Sequence, residues 1–120
     1  MSPFSVREAV DAVVITIDEP TALSDFRSNT FRDALYQVVE DGTLPELALD
    51  LSRVDFLSSS GVAILVGLKR RVDGKKGKLV LFGVQPVVQE LLRITHLTQY
   101  FLFADDEAGA RALLRPSSSN

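Results

Sequence analysis

The sequence predicts an α/β fold: a single domain on a mixed, mostly parallel sheet of about five strands with about four helices, in the order β-β-α-β-α-β-α-β-α. Three observations predict it. Leu47, Leu49 and Leu51 place apolar residues at every second position, the spacing of a strand. Val62 to Leu68 follows as a nearly continuous apolar run that contains Ala and Gly, too long to prefer a strand, and reads as a helix covered by the fold. Strand-like and helix-like stretches then keep alternating to the C-terminus, which implies right-handed crossovers and parallel pairing.

Each element has its own warrant. Phe4 and Val6 alternate before Arg7 and Glu8, and Val13 to Ile17 is rich in β-branched residues. The two form a hairpin with a turn near Ala9 to Asp11, the antiparallel part of the sheet. Asp18-Glu19-Pro20 ends the second strand, because proline cannot continue a ladder. Phe31, Ala34, Leu35 and Val38 recur at helical spacing, with Asp25 or Ser28 as cap and Asp41-Gly42 as stop. The Leu47 strand and the Val62 helix come next, the helix ending near Asp73-Gly74. Gly74-Lys75-Lys76-Gly77 is a tight surface turn, and Lys78 to Phe82 a short apolar strand. Pro86 opens a helix with Val87, Leu91 and Ile94 on one face. Tyr100 to Phe103 is the last strand. Asp105-Asp106-Glu107 places acid at the start of a final helix through Ala108 to Leu114. The domain is expected over residues 1–115, with 116–120 a disordered polar tail.

Composition narrows the function. The chain has 120 residues, 46% hydrophobic and 24% charged, with a net charge of −3. That acidity argues against a direct nucleic-acid footprint, which needs a basic face. Cysteine is absent, which excludes disulfides and thiolate metal sites. The N-terminal MSPFSVREAV has no basic-then-apolar pattern and no apolar run reaches membrane-spanning length, so a cytoplasmic protein without membrane insertion is expected. No metal or cofactor set is apparent, and no convergent acid/base set supports an enzyme.

The chemistry concentrates in Ser58-Ser59-Ser60-Gly61, between the Leu47 strand and the Val62 helix. Small hydroxyl residues there are, in isolation, helix caps. The site also lies beyond a strand C-terminal end, where α/β sheets place ligands, and free N–H groups and the helix dipole favour anions. Asp50 more readily bonds nearby loop amides than does chemistry. Gly61 and Gly67 fit close packing rather than a phosphate cradle, since no P-loop spacing exists. Lys69, Arg70, Arg71, Lys75, Lys76 and Lys78 read as a solvated face, with a docking patch for an acidic partner as the alternative. Ala63, Val66, Gly67 and Arg70 share a helix face that either meets a partner or is covered by other elements. His96, the only histidine, is a loop residue suited to positive φ.

Asp50-Leu51-Ser52, Val54, Phe56 and Ser59-Ser60-Gly61-Val62 resemble the signature of STAS domains, more narrowly of bacterial anti-sigma-factor antagonists. The Val84 to Leu92 helix and Thr95-His96-Leu97, where that family has Thr-Gly-Leu, extend the resemblance over nearly the whole chain. It implies a STAS fold and a partner that is both anti-sigma factor and serine kinase. It implies Ser59 as phospho-acceptor, with Ser60 as runner-up, and a PP2C-type phosphatase that reverses the modification. Ser58, Ser60, Gly61, Ala63, Val66, Gly67, Arg70 and Asp25 are then the expected partner-binding residues. The family's aspartate before the acceptor is Ser58 here, and Leu23-Ser24-Asp25 is off its usual Leu-Asp pattern. The alternative is a STAS scaffold module without phosphorylation, in a signalling assembly or a lipid-transport complex.

Overall fold

A computed structural model describes residues 4–9, 12–18, 29–42 and 46–114. The elements are β1 (Phe4–Glu8), β2 (Val13–Ile17), α1 (Asn29–Asp41), β3 (Glu46–Asp50), α2 (Ser59–Gly74), β4 (Lys78–Phe82), α3 (Pro86–Ile94), β5 (Leu102–Ala104) and α4 (Glu107–Leu114). The order is the one expected. The strands lie in sequence order, with β1 antiparallel to β2 and the other three pairings parallel.

Alternation along the strands sorts side chains onto two faces. Val13, Ile15 and Ile17 of β2, Leu47 and Leu49 of β3, and Leu79 and Leu81 of β4 point into the larger core. Phe31 and Leu35 of α1, Ile64, Leu65, Leu68 and Val72 of α2, and Val88 and Leu92 of α3 cover it. Val14, Ala48, Val80 and Phe82 point the other way and are covered by Ala110 and Leu114 of α4. Leu65 and Leu68 have no exposed surface, and truncating such a side chain to alanine costs about 2–5 kcal/mol. The long α2 is therefore anchored to the sheet along its inner stripe, and its first turn is held in place.

Several boundaries and faces differ from the sequence expectation. Ala34 is exposed, so Phe31 and Leu35 carry the buried stripe of α1. The last strand begins two residues later than Tyr100, because the Tyr100 N–H bonds back to the Leu97 carbonyl at 3.0 Å in a turn. Helix α3 buries Val88 and Leu92 and leaves Val87 and Ile94 in solvent. Two non-glycine residues take positive φ, Lys76 (61°) and His96 (62°). Each follows a helix end where the next residue's N–H reaches five residues back, Gly77 to Val72 and Leu97 to Leu92. That ending needs a left-handed residue, which is the conformation anticipated for His96. The expected caps Asp25 and Ser28, the Leu23-Ser24-Asp25 stretch, Val10 and Asp11 of the first turn, and the 116–120 tail lie outside the described residues.

Candidate functional site

Strand β3 delivers the chain to the site. After Asp50 the backbone still bonds to β4, Leu51 N–H to the Phe82 carbonyl at 3.0 Å, and then turns through Val54 N–H to the Leu51 carbonyl. Leu51, Val54 and Leu57 are buried and pin this loop to the core, while Phe56 between them is 48% exposed. Asp50 Oδ1 accepts the Ser52 amide at 2.9 Å, and its Oδ2 lies 3.5 Å from the Thr16 hydroxyl. The carboxylate braces the loop through local partners.

The serines divide the work at the helix start. Ser58 is the N-cap in extended conformation, and its hydroxyl accepts the Gly61 N–H at 3.1 Å. The Val62 N–H goes to the Ser58 carbonyl at 2.9 Å. Ser60 is exposed, and its hydroxyl lies 2.8 Å from that of Ser58. Ser59 is exposed at the first position of α2, and no side-chain bond engages its hydroxyl among the described residues. The amides of Ser59 and Ser60 have no acceptor within the helix, as its geometry requires, so positive potential gathers around the Ser59 hydroxyl. The helix begins three residues before Val62, which places Ser59 and Ser60 on α2 itself.

The expected partner face is interrupted. Gly61 is buried, so it presents nothing to a partner and contributes its amide to the cap instead. Gly67 lies beneath Tyr36 of α1, whose hydroxyl donates to the Ile64 carbonyl at 3.0 Å. A Cβ at position 67 would stand 2.1 Å from that hydroxyl oxygen. Val66 is half-buried against the core, and Ala63 and Arg70 are exposed. The covering element is α1, and no pattern in the sequence shows which of its faces meets α2.

The residues that sequence reasoning missed, Arg32, Asp33, Tyr36 and Ile64, lie at this helix pair, beside Ser60, Ala63 and Arg71, which it had named. Arg32, Asp33 and Tyr36 of α1 and Ser60, Ala63, Ile64 and Arg71 of α2 line a cavity of about 370 Å³. The Arg71 guanidinium stacks on the Tyr36 ring at 4.0 Å, and its Nε is 3.6 Å from Glu40 Oε2. Partial burial pushes the Tyr36 phenol above its ordinary pKa, against the opposing pull of Arg71. The spacing of Arg32 and Tyr36, one helical turn apart, could have placed those two on a shared face of α1, but not which element that face meets.

Among the described residues no three His, Asp or Glu gather as a metal site, and no helix is long and apolar enough to cross a membrane. BtrV of Bordetella bronchiseptica, provisionally named an anti-sigma factor antagonist, is 29% identical over 69 residues, 58% of this chain, and the match spans 60% of that relative's length. An anti-sigma F factor antagonist of Paenibacillus polymyxa is 24% identical over 88 residues, covering 73% of this chain and 75% of the relative. The crystal structure of an anti-sigma factor antagonist from Mycobacterium paratuberculosis shares the fold at a TM-score of 0.80, with 24% identity and coverage of 94% and 93% of the two chains. The STAS domain model matches residues 4–110, so the chain belongs to the STAS domain family.

Proposed function

We propose that this protein is an anti-sigma-factor antagonist that binds an anti-sigma factor with serine kinase activity and is released from it by phosphorylation of Ser59. The observation that carries the reading is the exposed Ser59 hydroxyl at the first position of α2, between a capping Ser58 and a Ser60 hydroxyl bonded to it. The names of the relatives support the class of partner. The kinase supplies nucleotide, metal and base. The Ser59 oxygen bonds to the terminal phosphorus of ATP, ADP leaves, and the hydroxyl proton passes to the kinase's base. A PP2C-type phosphatase in the same cytoplasmic circuit restores the hydroxyl.

The physics suits a switch. The phosphoryl group adds about −1.5 to −2 charges at neutral pH. At a helix N-terminus that charge is stabilised by about 0.3–1 kcal/mol, so the fold is kept. At the partner's surface the same charge is unpaired or repelled, at a cost of several kcal/mol. Binding changes and architecture does not.

Ser58 favours a second reading. A neutral hydroxyl stands where the family carries a carboxylate beside the acceptor, which fits a scaffold STAS module without phosphorylation. One experiment separates the two: incubation with the ATP-binding anti-sigma factors of the same organism and ATP, with phosphate mapped by mass spectrometry. The switch requires phosphate on Ser59, none in Ser59→Ala, and binding weakened about 100-fold in Ser59→Asp. Phosphate on none of the serines 58 to 60 sinks the switch and leaves the scaffold.

A further inference from the structure

The α1–α2 cavity has features that a solvated surface lacks. Tyr36 is fixed by its hydrogen bond to the Ile64 carbonyl, and the Arg71 guanidinium carbon lies over its ring, 4.0 Å from the centroid. The other contacts of Arg71 are long, Nη1 to the Gly67 carbonyl at 3.5 Å and Nε to Glu40 at 3.6 Å. A guanidinium seated on a ring and engaged only by long contacts keeps donor capacity for a further acceptor. Arg32 directs Nε and Nη2 to one oxygen of Asp33, at 3.1 and 3.0 Å, and so uses part of its donor set. The lining therefore holds two guanidinium groups and one carboxylate, with exposed Ala63 beside them where a larger side chain would fill the space.

We propose that this cavity seats a carboxylate side chain of the anti-sigma factor, gripped by the donor fork of Arg71 on its Tyr36 platform and by Arg32. The inference rests on the reading of the chain as a binder of an anti-sigma factor. Charge complementarity selects the occupant: planar, two-pronged donors match a carboxylate, and the two guanidiniums of the lining face one lining carboxylate, with Glu40 outside the lining and 3.6 Å from Arg71 Nε. The cavity also touches the switch. Ser60 lines it, and Ser59 is the preceding residue. A phosphoryl group on Ser59 lies well within the Debye length, about 8–10 Å in physiological salt, of a carboxylate docked beside Ser60. Like-charge repulsion in that space gives phosphorylation a defined target on the partner.

The test measures affinity for a purified ATP-binding anti-sigma factor of the same organism by calorimetry at low and high salt, with circular dichroism of each variant. Arg71→Gln and Arg32→Gln each weaken binding about tenfold or more, and flatten its salt dependence. Arg71→Lys does not restore it, since an ammonium lacks the fork. Ala63→Phe, an exposed position, weakens binding by filling the space and carries the test if Arg71→Gln unfolds. Arg53→Gln, which loses only a 3.5 Å pair with Asp18, stays within about twofold. Binding within about twofold for Arg71→Gln, Arg32→Gln and Ala63→Phe, with Ser59→Asp still defective, overturns the cavity's role and leaves the antagonist reading standing. Wild-type protein that binds no anti-sigma factor overturns both. Sedimentation showing that the arginine variants dissociate a dimer of this chain makes a second copy the occupant and overturns the proposal.

Discussion

Where β3 passes into α2, the chain spends Leu51 to Ser58 on a loop pinned by Leu51, Val54 and Leu57, and closes it with a serine cap. Where β4 passes into α3, three residues suffice. Gly83 turns at φ 67°, Gln85 occupies the cap position without a side-chain bond to the helix, and Pro86 takes the first helical position. Both junctions stand at the same end of the sheet, the C-terminal end of β3 and β4, because those strands are parallel. They differ in what they show to solvent. The first offers hydroxyls over free amides. The second offers a proline, which has no N–H to give, and a glutamine whose Nε2 donates to the Ser52 carbonyl of the first loop at 2.8 Å. Only the first junction carries hydroxyls, and the second braces its loop through Gln85.

The comparison breaks most easily at Gly83. A left-handed alanine costs about 1–2 kcal/mol. Its Cβ would also meet the Ser52 Cβ at 3.1 Å, tighter than ordinary contact. Gly83→Ala is expected to lose about 2 kcal/mol in urea denaturation. A loss under about 0.5 kcal/mol would mean that the β4–α3 turn adapts freely and does not brace the serine loop.

Ser58 tests the first junction. Ser58→Ala removes the acceptor of the Gly61 N–H and is expected to cost about 1 kcal/mol. Ser58→Asp restores the family's carboxylate and caps as well as serine does, so stability stays within about 0.5 kcal/mol. If Ser59 is the acceptor as proposed, a change that Ser58→Asp makes in its phosphorylation rate then comes from the new carboxylate and not from a change in the fold. Gln85→Ala, at the second junction, loses one hydrogen bond with partly exposed partners and is expected to cost about 0.5–1 kcal/mol, with the helix itself unaffected. A larger loss from Gln85→Ala than from Ser58→Ala would reverse the roles assigned to the two junctions.

The two junctions also differ in how far the sequence reveals them. The first is legible residue by residue: alternating leucines, then hydroxyls, then an apolar run, with Asp50 turned to a local amide. What the pattern concealed was the helix's true start at Ser59, because serines before an apolar stretch fit equally well outside a helix as its cap or inside its first turn. At α3 the start was legible from Pro86, but Val87, Leu91 and Ile94 form as consistent a stripe as Val88 and Leu92. Periodicity finds an apolar face and leaves open which of two neighbouring stripes the sheet selects. The cavity was illegible for a related reason. It exists only because α1 lays Tyr36 across Gly67, a contact between segments some thirty residues apart that no local spacing encodes.

The smallest expected effect lies in α3. Its N-terminus lacks a side-chain cap, so its surface charges count for relatively more than they do in α2. Glu90 and Arg93 form an i,i+3 ion pair on its exposed side. The hydrogen bond from Arg93 holds the Glu90 carboxyl below its ordinary pKa of 4.5. A carboxyl with a lowered folded-state pKa binds fewer protons in the folded chain than in the unfolded one, so its contribution rises with pH. That contribution is complete above the ordinary glutamate range and is lost as the pH falls through the depressed folded-state value. Thermal unfolding of wild type and Glu90→Gln should therefore differ slightly at pH 7, in favour of the wild type, and the gap should close at acid pH. High salt should shrink the gap at pH 7 as well, since the pair is exposed and screened. A gap that persists unchanged into acid would show that it does not come from ionisation of Glu90, and α3 would then owe nothing measurable to this surface charge.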